Sequence, residues 1–81
     1  MKKFSYDGRT NIIGERVRQA REKLGLNQTA LAAQLEILHV KIDRNAISKI
    51  ELNDRIVTDY ELLNLAKVLK VDIVWLLTGD K

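Results

Sequence analysis

From residue 13 onward, apolar side chains recur every three or four positions, and short polar stretches carrying capping residues interrupt them. Asn11 can cap a first helix whose apolar stripe is Ile13, Val17, Ala20 and Leu24, and Gly25 supplies a stop. Four further starts share one signature: an apolar residue, a capping side chain, and a second apolar residue four positions beyond the cap. They are Leu26-Asn27 with Leu31, Ile42-Asp43 with Ile47, Val57-Thr58 with Leu62, and Val71-Asp72 with Leu76. Each is a hydrophobic staple around an N-cap, which fixes the angle at which the chain enters the helix. Thr58-Asp59-Tyr60-Glu61 is also a capping box. No strand-like alternation, internal repeat or low-complexity tract competes with this pattern. The expectation is an all-α domain of five short helices over residues 11–81, preceded by a flexible basic arm over 1–10 that holds Lys2, Lys3 and Arg9.

The stripes also predict the packing. Leu31 and Leu35, Ile47 and Ile50, and Leu62, Leu65, Ala66 and Leu69 share one core, with Ala32 small where two helices cross closely. Trp75, Leu76 and Leu77 carry more apolar area than the last single turn needs, so Trp75 and Leu76 are candidates for a dimer contact.

Composition narrows the chemistry. Eighty-one residues make one domain, and with no cysteine the core must hold by packing alone. The missing cysteines also exclude disulfides, thiolate catalysis and the common zinc sites. The single histidine, His39, has no partner residues for a triad or a metal cluster. Neither a glycine-rich phosphate loop nor a paired-carboxylate pattern is present, so the chain reads as a non-enzyme without cofactor or metal. No apolar run is long enough to span a membrane, and the start Met1-Lys2-Lys3-Phe4 lacks the apolar core of a signal peptide. Asn27-Gln28-Thr29 is then a chance sequon, and the expected location is cytoplasmic. Charge is uneven: residues 1–55 hold 11 basic and 7 acidic groups, residues 56–81 hold 3 and 4. A basic face toward a polyanion fits that asymmetry, as does an ordinary solvated surface.

Two short helices, about 28–38 and 44–52, joined by a brief link and braced by their neighbours, have the layout of a helix-turn-helix. With Ile47 and Ile50 inward, the second of them points Arg44, Asn45, Ser48 and Lys49 outward. Arginine and lysine suit guanine O6 and N7, and asparagine suits adenine N6 and N7. The first of them opens on Asn27 and Gln28, where free backbone N–H groups and polar side chains suit a phosphate.

At this point the chain resembles a known family. The run Arg18-Gln19-Ala20-Arg21-Glu22-Lys23-Leu24-Gly25-Leu26-Asn27-Gln28-Thr29-Ala30-Leu31-Ala32 resembles the opening of the Cro/repressor-type, or xenobiotic-response-element type, helix-turn-helix family. Ala46-Ile47-Ser48-Lys49-Ile50-Glu51 looks like its recognition helix, and residues 65–77 look like its last two helices. The resemblance implies a lambda-repressor-like fold and a bacterial or phage transcription regulator, usually a homodimeric repressor, on double-stranded operator DNA. It implies base reading by Arg44, Asn45 and Lys49, a phosphate contact at Gln28, and a buried ion pair of Arg21 with Glu51. Asn27, Ser48, Lys41 and Arg55 join Gln28 as candidates for phosphate contact or positioning. Three departures stand out. The link between the two helices is several residues longer than usual, with a loop expected around His39–Ile42. Leu52-Asn53-Asp54 replaces the family's Asn-Gly-Lys, with Asn53 still able to take the left-handed conformation. Lys70 stands where a C-cap glycine is usual. The alternative function is a protein-interaction module of the same fold, an antitoxin or adaptor; effector and protein partner are unspecified by the sequence.

Overall fold

The computed structural model describes residues 5–80 of the chain. Among these described residues five helices follow in order: α1 Gly14–Lys23, α2 Gln28–Ile37, α3 Arg44–Glu51, α4 Asp59–Leu69 and α5 Ile73–Thr78. Local chemistry sets where they begin. Asn27, Asp43, Thr58 and Asp72 are the N-caps of α2 to α5, and each side chain accepts a backbone N–H of its helix's first turn. Thr58 and Glu61 complete the capping box. Such a cap is worth about 1 kcal/mol, because it satisfies a donor that the helix itself leaves unpaired. α1 starts differently. Asn11 lies two residues before the capping position, and its Oδ1 accepts from the N–H groups of both Ile13 and Gly14 at 3.0 Å.

The helix ends are equally regular. In α1, α2 and α3 the first residue past the C-cap turns left-handed: Gly25, His39 and Asn53. In each, paired backbone bonds close the last turn, as when Asn53 N–H donates to Ile50 O and Asp54 N–H to Lys49 O. Lys70 takes the same conformation at the end of α4, at φ 58°, without the glycine that would adopt it freely.

One core joins all five helices. It contains Ile13, Val17 and Ala20 of the α1 region, Leu31 and Leu35 of α2, Ile47 and Ile50 of α3, Leu65, Ala66 and Leu69 of α4, and Leu76 of α5. Burial of each of the larger side chains contributes about 1.5–3 kcal/mol. α3 packs on α1 and α2, while α4 packs on α1, α2 and α5. The long link between α2 and α3 is part of this core. Val40 and Ile42 are buried, while His39 and Lys41 between and beside them face solvent. Two apolar anchors, four and two residues before α3, therefore fix how that helix is presented.

Three details differ from the sequence expectation. Leu24 is 40% exposed, because α1 ends at Lys23 and the Gly25 turn carries the chain away from the stripe. Leu76 is fully buried in the core, so it is not a surface contact. Residues 6–9 are a tight turn: Tyr6 and Arg9 exchange both backbone hydrogen bonds, at 2.7 and 3.0 Å, across Asp7 and Gly8. Asp-Gly with both φ values positive is the turn that matches hairpin twist, a signal that charge and aperiodicity concealed. Lys2 and Lys3 lie outside the described residues.

Candidate nucleic-acid interface

α3 has two unlike faces. Ile47 and Ile50 are wholly buried, whereas Arg44, Asn45 and Lys49 are exposed and Ser48 is half-buried. No hydrogen bond or ion pair within the described residues occupies Arg44, Asn45 or Lys49. Asp43 caps α3 through Ala46 N–H at 2.8 Å, which orients its first turn toward solvent with Arg44 and Asn45 upon it. Lys41, in the link, is exposed on the approach to the same end.

Beside the far end of α3 lies a cleft lined by Arg18, Arg21, Gln28, Ser48, Glu51 and Leu52. Its floor is a polar network. Arg21 donates from Nε to Glu51 Oε2 at 2.7 Å and from Nη2 to Glu51 Oε1 at 3.1 Å. Arg21 Nη1 donates to Leu26 O at 2.9 Å, which ties the turn between α1 and α2 to the same group. The two side chains are only 11% and 5% exposed. The Glu51 hydrogen bond outweighs burial and raises the Arg21 guanidinium above its already high value. Gln28 joins this network, its Nε2 donating to Glu51 Oε1 at 3.1 Å. Gln28 thus couples the start of α2 to α3 through Glu51. Asn27 accepts from Ala30 N–H at 2.7 Å, so its side chain caps α2 while the N–H groups of Gln28 and Thr29 keep no intrahelical acceptor. Arg18 enters the cleft from α1 with its guanidinium near Glu22 at 3.3 Å; the helical spacing to Arg21 was its available signal.

Arg55 has another occupation than a free phosphate cation. It binds Glu61 through both terminal nitrogens, at 3.0 and 3.1 Å, and also donates to Ile56 O. Burial alone would push the Glu61 carboxyl up, yet the hydrogen bonds from Arg55 and from the Thr58 N–H hold it below the usual carboxylate value. This second buried acid was legible only as a capping residue, because the pair exists through the fold of the loop after α3.

Residues that the sequence marked only as a helix cap and a helix stop anchor the end of α3. Asn11 Nδ2 donates to Ile50 O at 3.1 Å and to Arg55 O at 2.9 Å. Asn53 Nδ2 donates back to Asn11 O and Oδ1, both at 3.1 Å. Gly14 sits so close that a Cβ there would overlap Ile50 O and lie 2.9 Å from Glu51 O. On the opposite side of α1, Arg16 donates to the carbonyls of Leu76 and Leu77 at 2.9 Å, which fastens α5. Trp75 and Val71 of that end line a groove with Gln19, Ala20, Lys23 and Asp72, next to exposed Val74.

Known proteins share this arrangement. A model of the helix-turn-helix domain family matches residues 14–81. The HTH-type transcriptional regulator DicA of Escherichia coli (strain K12) is 39% identical over 69 residues, 85% of this chain and 47% of that protein. The chain thus spans about half the length of the curated relative it matches. Among solved structures, the P22 c2 repressor protein in complex with synthetic operator 9T superposes with a TM-score of 0.74 at 34% identity, covering 88% of this chain and 100% of that one. The DNA-binding domain of BldD shares the fold at TM-score 0.71 and 23% identity, covering 90% and 99%. With the lengthened but anchored link as its departure, the chain belongs to the Cro/repressor-type helix-turn-helix family.

Proposed function

We propose that this chain is a sequence-specific, double-stranded DNA-binding transcription regulator that acts as a homodimeric repressor. The observation that carries the reading is the outward face of α3: Arg44, Asn45 and Lys49 are exposed and unpartnered among the described residues, on a helix whose other face is locked into the core. α3 enters the major groove by its first turns. Arg44 and Lys49 meet guanine O6 and N7, and Asn45 meets adenine N6 and N7. The start of α2, with Gln28 and Ser48 beside it and Lys41 on the link, grips phosphate and fixes the register. Asn27 supports this grip as the cap of α2, and Arg55 supports it by holding the loop after α3. The P22 c2 repressor, similar over nearly all of this chain, is bound to a synthetic operator in its solved structure.

The groove around Trp75 is the surface for a second copy, with Val74 at its edge. A dimer presents two recognition helices to half-sites about one helical turn, ~34 Å, apart. The regulator acts in the cytoplasm, and no helix among the described residues is long and apolar enough to cross a membrane. Catalysis has no part in this reading.

Selection of bound sites from random duplexes tests it, followed by Arg44→Ala, Asn45→Ala and Lys49→Ala against a library of site variants. Each loss is expected to cost about 1–3 kcal/mol and to relax preference at one position. Uniform losses, with every base preference intact, would overturn base reading by α3. Absence of any salt-dependent shift at low salt would leave a protein-docking module, reached through the Trp75 groove.

A further inference from the structure

We propose that the turn Tyr6-Asp7-Gly8-Arg9 is a second DNA-backbone contact, locked onto the C-terminal end of α3, with Arg9 as its phosphate-binding cation. The inference rests on the DNA-binding reading above and extends it to a segment outside the helix-turn-helix.

The starting point is a contrast among the six arginines, all of which lie within the described residues. Arg16 is bound to the carbonyls of Ile12, Leu76 and Leu77, Arg18 to Glu22, Arg21 to Glu51 and Leu26, and Arg55 to Glu61 and Ile56. Only Arg44 and Arg9 keep a guanidinium without an intramolecular partner among the described residues. Arg44 opens α3, and Arg9 belongs to the segment fastened to its other end.

Beyond Lys49, that other end carries little positive charge of its own. The outward stripe of α3 closes on Leu52, which is 73% exposed and apolar, and the acidic Asp54 follows. Arg55 is already neutralised by Glu61. Past Lys49, which the base-reading face already uses, the stretch from Leu52 to Arg55 therefore offers phosphate no free arginine.

The fastening is specific. Thr10 N–H donates to Asn53 O at 3.0 Å, and Asn53 Nδ2 grips Asn11. Arg9 is the residue next to this anchor. Its own backbone is fixed in the two-residue turn by the bonds to Tyr6, with Asp7 at φ 52° and Gly8 at φ 77°. A cation held by a turn and strapped to the recognition helix loses less conformational freedom on binding than one on a loose arm. Its position also follows α3 wherever the helix docks.

The test is equilibrium binding of the full chain to a selected duplex and to an unrelated duplex of equal length, between 50 and 200 mM salt. Arg9→Gln should weaken both duplexes by the same factor, roughly 3- to 10-fold per protomer, and make the log-log salt slope shallower by about 0.9 per protomer. Base preferences and melting temperature should stay at the parent values. Gly8→Ala, which meets no atom within 4 Å but strains the left-handed turn, should weaken both duplexes alike and by less. Lys67→Gln, an exposed charge on α4, should keep the parent slope. A parental slope in Arg9→Gln would overturn the proposal, as would an equal change in Lys67→Gln. Parental binding by Gly8→Ala would overturn the locked turn. If Arg44→Ala loses binding while Arg9→Gln does not, the strap alone fails. If the parent binds neither duplex, the DNA-binding reading fails with it.

Discussion

The two ends of α3 are built on opposite principles. At the N-terminal end, Asp43 caps the helix, Arg44 and Asn45 stand in solvent, and the link behind them is held by buried Val40 and Ile42 and by the backbone bonds that close α2. At the C-terminal end nearly every polar group is bound. Glu51 holds Arg21 and Gln28, Asn11 and Asn53 interlock, Gly14 lies against the helix carbonyls, and the loop beyond is closed by Arg55 and Glu61. The contrast teaches how a helix of eight residues serves as a rigid probe: it is clamped at one end so that the other is free to meet a ligand. A buried polar network that is fully satisfied specifies one geometry, and one with a missing partner is costly.

The largest expected effect is therefore at the clamped end. Glu51→Ala leaves the Arg21 guanidinium buried without its partner and releases Gln28, at a cost of about 3–5 kcal/mol. For a domain of this size each kcal/mol shifts the melting temperature by about 4–8 °C, so thermal unfolding checks it directly. Melting like the parent would mean that α3 is not held through Glu51. By contrast Arg44→Ala, at the free end, should leave stability within about 0.5 kcal/mol while it removes affinity.

Gly14→Ala tests the clamp by shape instead of charge. A methyl group there must displace the carbonyls of Ile50 and Glu51 or the Asn53 amide, 2.7 Å away. The expected loss is about 1–3 kcal/mol, read from denaturant midpoints.

The Arg55–Glu61 pair sharpens the comparison through pH. The carboxyl of Glu61 titrates below its ordinary 4.5, so its stabilisation is fully present above pH 4.5 and is lost as pH falls through the lower, folded value. Glu61→Gln should lower stability at neutral pH and flatten the decline in stability below about pH 4.5. An unchanged acid limb would show that this carboxyl is not the group being protonated.

The smallest effect compares the two ends by one substitution. His39 and Asn53 are both left-handed, at φ 64° and 60°. His39→Gly relieves the strain at an exposed site and should stabilise by about 0.5–1 kcal/mol. Asn53→Gly relieves the same strain but removes the amide that Asn11 needs, so it should destabilise by about 1–3 kcal/mol. Equal signs in the two variants would remove the distinction between a merely packed link and a clamped end.

What the chain declared by itself is local. The four staples mark where α2 to α5 begin, and the three-four spacing of Leu31 and Leu35 or of Ile47 and Ile50 marks their inward faces. These signals act within one or two turns, so neighbouring residues suffice to read them. The outward set Arg44, Asn45 and Lys49 followed from the same periodicity, once Ile47 and Ile50 were inward. The clamp was another matter. Asn11 reads as a cap and nothing more, yet its amide reaches carbonyls 39 and 44 residues away. Asn53 reads as a helix stop, Glu61 as half of a capping box, and Asp7-Gly8 as part of a polar arm. Their further partners, like the inward turn of Val40 and Ile42 and the full burial of Leu76, exist only when distant segments pack. Hydrogen bonds and ion pairs act over about 3 Å, and which groups come that near is set by the packing of whole helices, a property that no short stretch of sequence contains.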